Sequence, residues 1–200
     1  MTSSIYQIEI SGTLACFTRP EFKVERMSYE VITPSACRAI FEAIYWRPSI
    51  RWEIKEIAVL NPISFTHFKR CETAAMANVY KTEIIADKCR QLRSSVVLRD
   101  VKYRVSAELI AYDGMQDKHN AMFRRRAMKG QCFTQPYLGC REFAANWRLI
   151  EKSEELQKPI NETRDLGRIL YDMDFTNPKE PKPIFFDAKL INGKLTIYNL

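Results

Sequence analysis

The order of secondary-structure signals along this chain predicts an α+β fold of the ferredoxin-like type, with a small β-rich C-terminal domain. Two observations carry the expectation. An alternating strand opens the chain, a well-marked helix and two strand-like segments follow, and another long β-prone run comes after an intervening stretch. The last third is again β-like, with an Asn192-Gly193 hairpin signal near its end. The division expected is 1–115 for the first domain and 116–200 for a basic segment and the β-rich part. Two hundred residues suffice for it; a chain of that length buries about 70% of its unfolded surface, enough to fold without disulfides or metal.

Each element has a local reason. Tyr6, Ile8 and Ile10 alternate with Gln7, Glu9 and Ser11, the period of a half-buried strand. Residues 17–33 lack a helical period and read as a long, partly extended loop. Thr33 can cap a helix, Pro34 suits its first position, and Ser35 to Trp46 follow without a breaker. At 100° per residue Ala36, Ala39, Ile40, Ala43 and Ile44 form its apolar face, with Tyr45 opposite, facing out of the core. Residues 51–60 and 63–70 read as strands, 71–93 as loop or short helix, and Val96 to Ala111 as a long strand. Asp113-Gly114 marks a turn, and Gln116 to Lys129 a helix. Strands are expected at Phe143–Ile150, Gly167–Asp172, Ile184–Leu190 and Lys194–Tyr198, with Pro178, Pro181 and Pro183 making a stiff connection.

Composition narrows the function. With 46% hydrophobic and 28% charged residues the chain has the make-up of a soluble globular protein. The longest uncharged stretch, Ile57 to Phe68, is too short to span a bilayer, and the N-terminus lacks the basic start and apolar run of a signal peptide. A cytoplasmic protein without membrane partners is expected, its six cysteines reduced and mostly buried. No C-x-x-C pair occurs, the only histidines are His67 and His119, and no phosphate-binding glycine loop is present, so neither a metal nor a nucleotide cofactor is expected.

The net charge of +7 is concentrated. Residues 118–150 hold seven basic side chains and one acidic, nearly the whole excess. A concentrated field of this kind attracts a polyanion. Lys118, Arg125 and Lys129 fall on one helical stripe, Arg124, Arg126 and Arg141 add charge, and Phe123, Phe133 and Tyr137 lie among them. Guanidinium groups grip phosphates, and aromatic rings stack on unpaired bases. Charge alone does not separate such a surface from a solvated basic face. Arg19, Lys23 and Arg26 in the early loop could extend it. His119, beside Lys118, is by itself most simply an exposed histidine without a role. It gains one if the ligand is RNA, whose 2′-hydroxyl is an internal nucleophile. Cleavage then needs a base, an acid and a cation near the phosphorane, and no metal. His67 lies in an alternating pattern and reads as structural or as an RNA contact.

Three segments add a resemblance. Ala15 to Tyr29 (ACFTRPEFKVERMSY), Ile32 to Trp46 (ITPSACRAIFEAIYW) and Gly130 to Phe143 (GQCFTQPYLGCREF) together are similar to the CRISPR-associated repeat-processing endoribonucleases of subtype I-C, the Dvulg-type RAMP proteins. The likeness covers most of residues 5–150. It implies a RAMP domain (ferredoxin-like, RRM-type) with a β-rich appendage and metal-independent cleavage of precursor CRISPR RNA at the base of the repeat hairpin. It implies Tyr45, Lys118 and His119 as the catalytic trio. It also implies that the protein keeps the mature guide RNA as a subunit of the interference complex. The chain departs from the family pattern at Thr134, where a histidine often follows the Cys-Phe pair, and lacks the glycine-rich loop of many RAMP proteins. Two other readings remain: a catalytically silent subunit capping the 5′ end of a guide, and a nuclease acting on duplex DNA. The latter chemistry usually recruits a divalent metal, for which the sequence offers no convincing carboxylate site.

Overall fold

The structure is a computed structural model and describes residues 4–22, 24–73, 85–151, 154–177 and 179–197. It is an α+β fold built mostly of strands. In chain order come β1 (Ser4–Ala15), β2 (Arg26–Met27), α1 (Pro34–Ile44), β3 (Ile50–Val59), β4 (Phe65–Thr73) and α2 (Ala86–Cys89). Then follow β5 (Arg90–Ala111), α3 (Gln116–Met128), β6 (Asn146–Leu149), β7 (Arg164–Asp174), β8 (Lys182–Leu190) and β9 (Lys194–Thr196). Seven strands form one sheet in the order β6-β1-β5-β3-β9, with β2 and β4 both paired to β5. Neighbours along that path are antiparallel, with Ile8 opposite Val105, Trp52 opposite Leu109 and Ile10 opposite Trp147. β5 is long enough to hold β1 and β3 along one half and to pair with β4 along the other.

Helices α1 and α3 meet over this sheet on an aromatic cluster. Trp52 of β3 lies 4.8 Å from Phe41 of α1 and 4.6 Å from Phe123 of α3, and Phe123 lies 4.7 Å from Tyr6 of β1 (ring centroids). All but Tyr6 are fully buried. Interlocked rings of this kind fix the two helices against each other and against the sheet. Phe123 is therefore core and cannot stack on a base, because the sheet takes its whole surface.

The Thr33 cap and Pro34 start of α1 are as expected, with the Thr33 hydroxyl oxygen accepting the Ala36 N–H at 3.2 Å. Its buried face differs from the expected one. Cys37, Ile40, Phe41 and Ile44, at i, i+3, i+4 and i+7, go into the core, whereas Ala36 and Ala43 are half-buried and Ala39 is exposed. Burial rewards apolar area, and Phe41 brings far more of it than any one of the alanines, so the helix turns its bulky side inward. The helix also stops at Ile44. Tyr45 is its extended C-cap, and its ring is 3% exposed, so the expected outward phenol is overturned.

β6 and β9 both join the large sheet, while β7 and β8 pair as a separate two-stranded sheet. Asn192 and Gly193 adopt positive φ (49° and 73°), the turn expected of that dipeptide. The strands it joins nevertheless part: β8 pairs with β7 and β9 with β3, leaving one bridge between Ile191 and Lys194. Pro183 lies inside β8 rather than in a connection, while Pro178 and Tyr198 lie outside the described residues. Among the described residues no helix is long and apolar enough to cross a membrane.

Candidate active site

The end of α1 and the start of α3 bring two of the expected trio together. Tyr45 is held in place from both sides of its own peptide. Trp52 donates its indole N–H to the Tyr45 carbonyl at 2.9 Å, and the Tyr45 N–H donates to Phe41 at 2.9 Å. The Tyr45 hydroxyl lies 2.7 Å from His119 Nδ1. His119 is also buried, on the side of α3 that faces α1. Its exposed reading is thus corrected: the turn after β5 feeds α3 back over the sheet, which places His119 under Tyr45.

A third group completes the chain of hydrogen bonds, Asp113, whose Oδ2 lies 2.9 Å from His119 Nε2. The sequence marks Asp113 only as a turn residue, and it is one: its Oδ1 accepts the Met115 N–H at 3.0 Å, and Gly114 takes φ 74°. The other oxygen is left to reach the histidine six residues on. The hydrogen bond with His119, then those from the Met115 N–H and the Ser49 side chain, hold the Asp113 carboxyl well below the usual carboxylate range. An ionised carboxylate only accepts, so Nε2 carries a proton. In the neutral ring Nδ1 is then bare and accepts the phenol O–H of Tyr45. A tyrosine, a histidine and a carboxylate in line can pass a proton from the phenol to the ring while the carboxylate steadies the imidazolium.

Lys118 is exposed, one residue before His119, with Nζ 4.0 Å from Met115 Sδ. Its ammonium is presented to solvent. The basic residues of α3 divide. Arg124, Arg125 and Lys129 are exposed. Arg126 is half-buried, donates to the Ile44 carbonyl at 3.2 Å, and holds its guanidinium 5.6 Å from the Tyr45 ring centroid. It is part of the site's frame, while its neighbours form the open surface.

The other expected contacts are scattered. Arg19 lies over the Tyr29 ring at 5.1 Å. Arg26 donates to Cys140 Sγ at 2.9 Å and is 3.8 Å from Glu142. Lys23 lies outside the described residues. Arg141 and Tyr137 are exposed, Tyr137 39% so, on the loop that follows α3. His67 is exposed on β4. Among the described residues no cluster of three or more His, Cys, Asp or Glu is arranged to hold a metal ion.

Cys140 and Cys16 form a buried pair. A hydrogen bond with Cys16 and the charge of Arg26 pull the Cys140 thiol down to about 6, and the same pairing pushes Cys16 up. Their neighbour Gly139 is required on two grounds. It takes φ 83°, and a side-chain carbon there would collide with the Cys16 carbonyl oxygen. The 133–139 loop is thereby pressed against the end of β1, and the Phe133 N–H donates to Ala43 of α1 at 2.7 Å.

Known proteins resemble this chain over nearly all its length. The family model for a CRISPR-associated protein, Cas_Cas5 (Cas5d), matches residues 5–198. A relative from Mannheimia succiniciproducens, named CRISPR pre-crRNA endoribonuclease Cas5d, is 42% identical over 214 residues, spanning 96% of this chain and 93% of the relative. One of the same name from Thermus thermophilus is 36% identical over 211 residues, spanning 96% and 90%. A solved structure described as a CRISPR-associated protein superposes with a TM-score of 0.74 at 24% identity, covering 98% of this chain and 93% of its own, a likeness of fold. With the three sequence segments and this coverage in hand, the chain belongs to the Cas5d family of CRISPR-associated proteins.

Proposed function

We propose that this protein is an endoribonuclease that cuts precursor CRISPR RNA at the foot of the repeat hairpin without a metal. It then keeps the mature guide as a subunit of a subtype I-C interference complex. The observation that carries the reading is the Tyr45–His119–Asp113 chain, set beside the exposed Lys118 at the head of a basic helix. The 2′-oxygen attacks phosphorus, the new P–O2′ bond forms as the P–O5′ bond breaks, and a 2′,3′-cyclic phosphate is left. The proton released by the 2′-hydroxyl must be taken up and one must be given to the 5′-oxygen. A phenol backed by an imidazole can do either. Lys118 supplies positive charge to the phosphorane, and Arg124, Arg125 and Lys129 hold the flanking phosphates. Names of the curated relatives support the substrate.

Burial favours a second reading. Tyr45 and His119 are 3% and 6% exposed, as members of a purely structural network would be. In that reading the protein is the silent subunit that caps a guide. The repeat RNA of the protein's own locus, incubated in EDTA, separates the two. Cleavage that stops when the 2′-hydroxyl at the cut is replaced by hydrogen supports the enzyme. Binding without cleavage supports the silent subunit, and His119→Ala cutting at the wild-type rate removes the trio.

The strand order β6-β1-β5-β3, antiparallel throughout and interleaved with α1 and α3, supports the ferredoxin-like RAMP reading of the fold. We further read this unit as running past the expected boundary at 115, through α3 and β6, with β7 and β8 as the appendage.

A further inference from the structure

We propose that Gln116, the first residue of α3, is a positioning residue for the cleavage reaction: its side-chain amide fixes the turn that carries His119 against β5 and so sets the contact between His119 and Tyr45. The inference rests on the endoribonuclease reading and adds a residue that shapes the site from behind it. Gln116 Oε1 accepts the Ala111 N–H at 2.9 Å, and its Nε2 donates to the Leu109 carbonyl at 2.8 Å. The same Nε2 lies 3.3 Å from Asn120 Oδ1, one turn further along α3. An N–H and a C=O two residues apart on one side of a strand are the groups that a neighbouring strand's peptide would take. A glutamine amide carries the matching acceptor and donor in one plane. Glutamate could not donate, and asparagine is one methylene shorter. Met115, the N-cap of α3, makes no side-chain cap hydrogen bond, so the helix is tied at its start by this clip to the strand instead.

These bonds close a circuit around the site. The Tyr45 carbonyl accepts the Trp52 indole N–H, and Trp52 stands opposite Leu109 in the β3–β5 ladder. The Leu109 carbonyl holds Gln116, and His119 follows Gln116 one turn on, on the same face of α3. The circuit ends where it began, at the 2.7 Å contact between the Tyr45 hydroxyl and His119 Nδ1. Phe123 against Trp52 also holds α3 to the sheet, but apolar packing has no preferred direction and tolerates sliding. Paired hydrogen bonds do not, because each weakens steeply as it leaves its line. Gln116 thus sets where α3 lies along β5. By joining Ala111 to α3 it also closes the base of the Asp113-Gly114 turn. Both ring nitrogens of His119, one toward Tyr45 and one toward Asp113, therefore depend on the clip. A displacement of about 1 Å in a catalytic site can cost about 100-fold in rate.

The test is Gln116→Met, which is close to glutamine in length and volume but has neither the amide donor nor its carbonyl. Single-turnover cleavage of repeat RNA at saturating protein should fall about 10- to 100-fold, while RNA affinity stays within about twofold of wild type. The chain has two histidines, so nitrogen NMR of the imidazoles resolves His119, with His67 as the exposed reference. In the wild type the bare Nδ1 and the protonated Nε2 should give two well-separated signals. In Gln116→Met they should move toward each other as the ring loses its single tautomer. Gln116→Glu keeps the bond from the Ala111 N–H and loses the donation to Leu109. It should shift both readouts in the same direction, and it carries the test if Gln116→Met does not fold. Unshifted ring signals with a wild-type rate overturn the role. A rate that falls only with the folded fraction, the ring signals of the folded molecules unchanged, makes Gln116 merely structural and overturns it too. So does weaker RNA binding at an unchanged single-turnover rate. If the wild-type protein cuts no repeat RNA, the nuclease reading fails, and the ring signals alone still decide whether Gln116 sets His119.

Discussion

Replacing Tyr45 by phenylalanine removes one oxygen from a site whose surroundings are fully defined. The ring keeps its packing beneath Arg126, so no cavity opens. What disappears is the 2.7 Å hydrogen bond to His119 Nδ1, and the nitrogen is left buried without that partner. Leaving a buried polar group unsatisfied costs about 1–3 kcal/mol. In a chain of this size each kcal/mol moves the melting temperature by about 2–4 °C, so Tm should fall by about 2–12 °C. His119→Ala strands the phenol in the same way, and the double variant removes both members. Thermal unfolding of the four proteins should therefore give a coupling energy of about 0.5–3 kcal/mol between the two positions. Single-turnover cleavage of repeat RNA by Tyr45→Phe should drop about a hundredfold or more, the usual contribution of a proton-transferring group. A Tm within about 1 °C of wild type, together with additive single effects, would refute the hydrogen bond as described and the proton path built on it.

Asp113→Asn replaces an acceptor by an amide that can donate to Nε2. The ring should then change tautomer, and single-turnover cleavage should fall about 10²- to 10⁴-fold with RNA affinity unchanged. Arg124→Ala with Arg125→Ala should reduce the log–log salt slope of RNA binding by about 0.7–0.9 for each phosphate no longer neutralised, measured by fluorescence anisotropy across a salt series. Arg126 is left out of that variant because it braces Tyr45, and its removal would confuse stability with affinity. Cys140, pulled down to about 6 first by its hydrogen bond with Cys16 and then by the charge of Arg26, should favour the fold as a thiolate. That contribution is whole above the ordinary thiol range and fades as pH falls through about 6. Arg26→Met should lift the thiol part of the way and reduce the dependence of Tm on pH between about 9 and 6, since the Cys16 hydrogen bond remains.

Local signals gave most of the helices and strands, because capping, alternation and turn chemistry are written in neighbouring residues, but they missed β2 and the start of β5 at Arg90, inside segments read as loop or short helix. Thr33-Pro34 and Asn192-Gly193 could be read directly. Periodicity failed where volume mattered. Counting apolar positions on α1 favoured the alanines, whereas the sheet took Phe41 and its neighbours, and that turned Tyr45 inward. Tyr45 and His119 lie 74 residues apart, and nothing local brings them within 2.7 Å. Resemblance supplied the pair; the aromatic cluster around Trp52 supplies the cause. Asp113 was hidden by its second task, since an aspartate before glycine is fully accounted for by the turn it makes. Its spacing from His119 was the one available clue. Phe123 and Phe133 looked alike in the sequence, and only the packing of α3 separates the core ring from the exposed one.

The parting of β8 and β9 has a consequence for how the chain is made. Glu56 of β3 pairs with Thr196 of β9, a partner that is translated 140 residues later. At about 5–20 residues per second, β3 waits roughly 7–28 s for the strand that covers its outer edge. Through that interval the outer N–H and C=O groups of the Glu56–Ala58 stretch stand ready to accept any other extended chain. The three residues of β9 thus close this stretch of the edge only 140 residues after Glu56 is made. The nascent protein is most prone to aggregate just before that closure, and folding that depends on so distant a contact is slow.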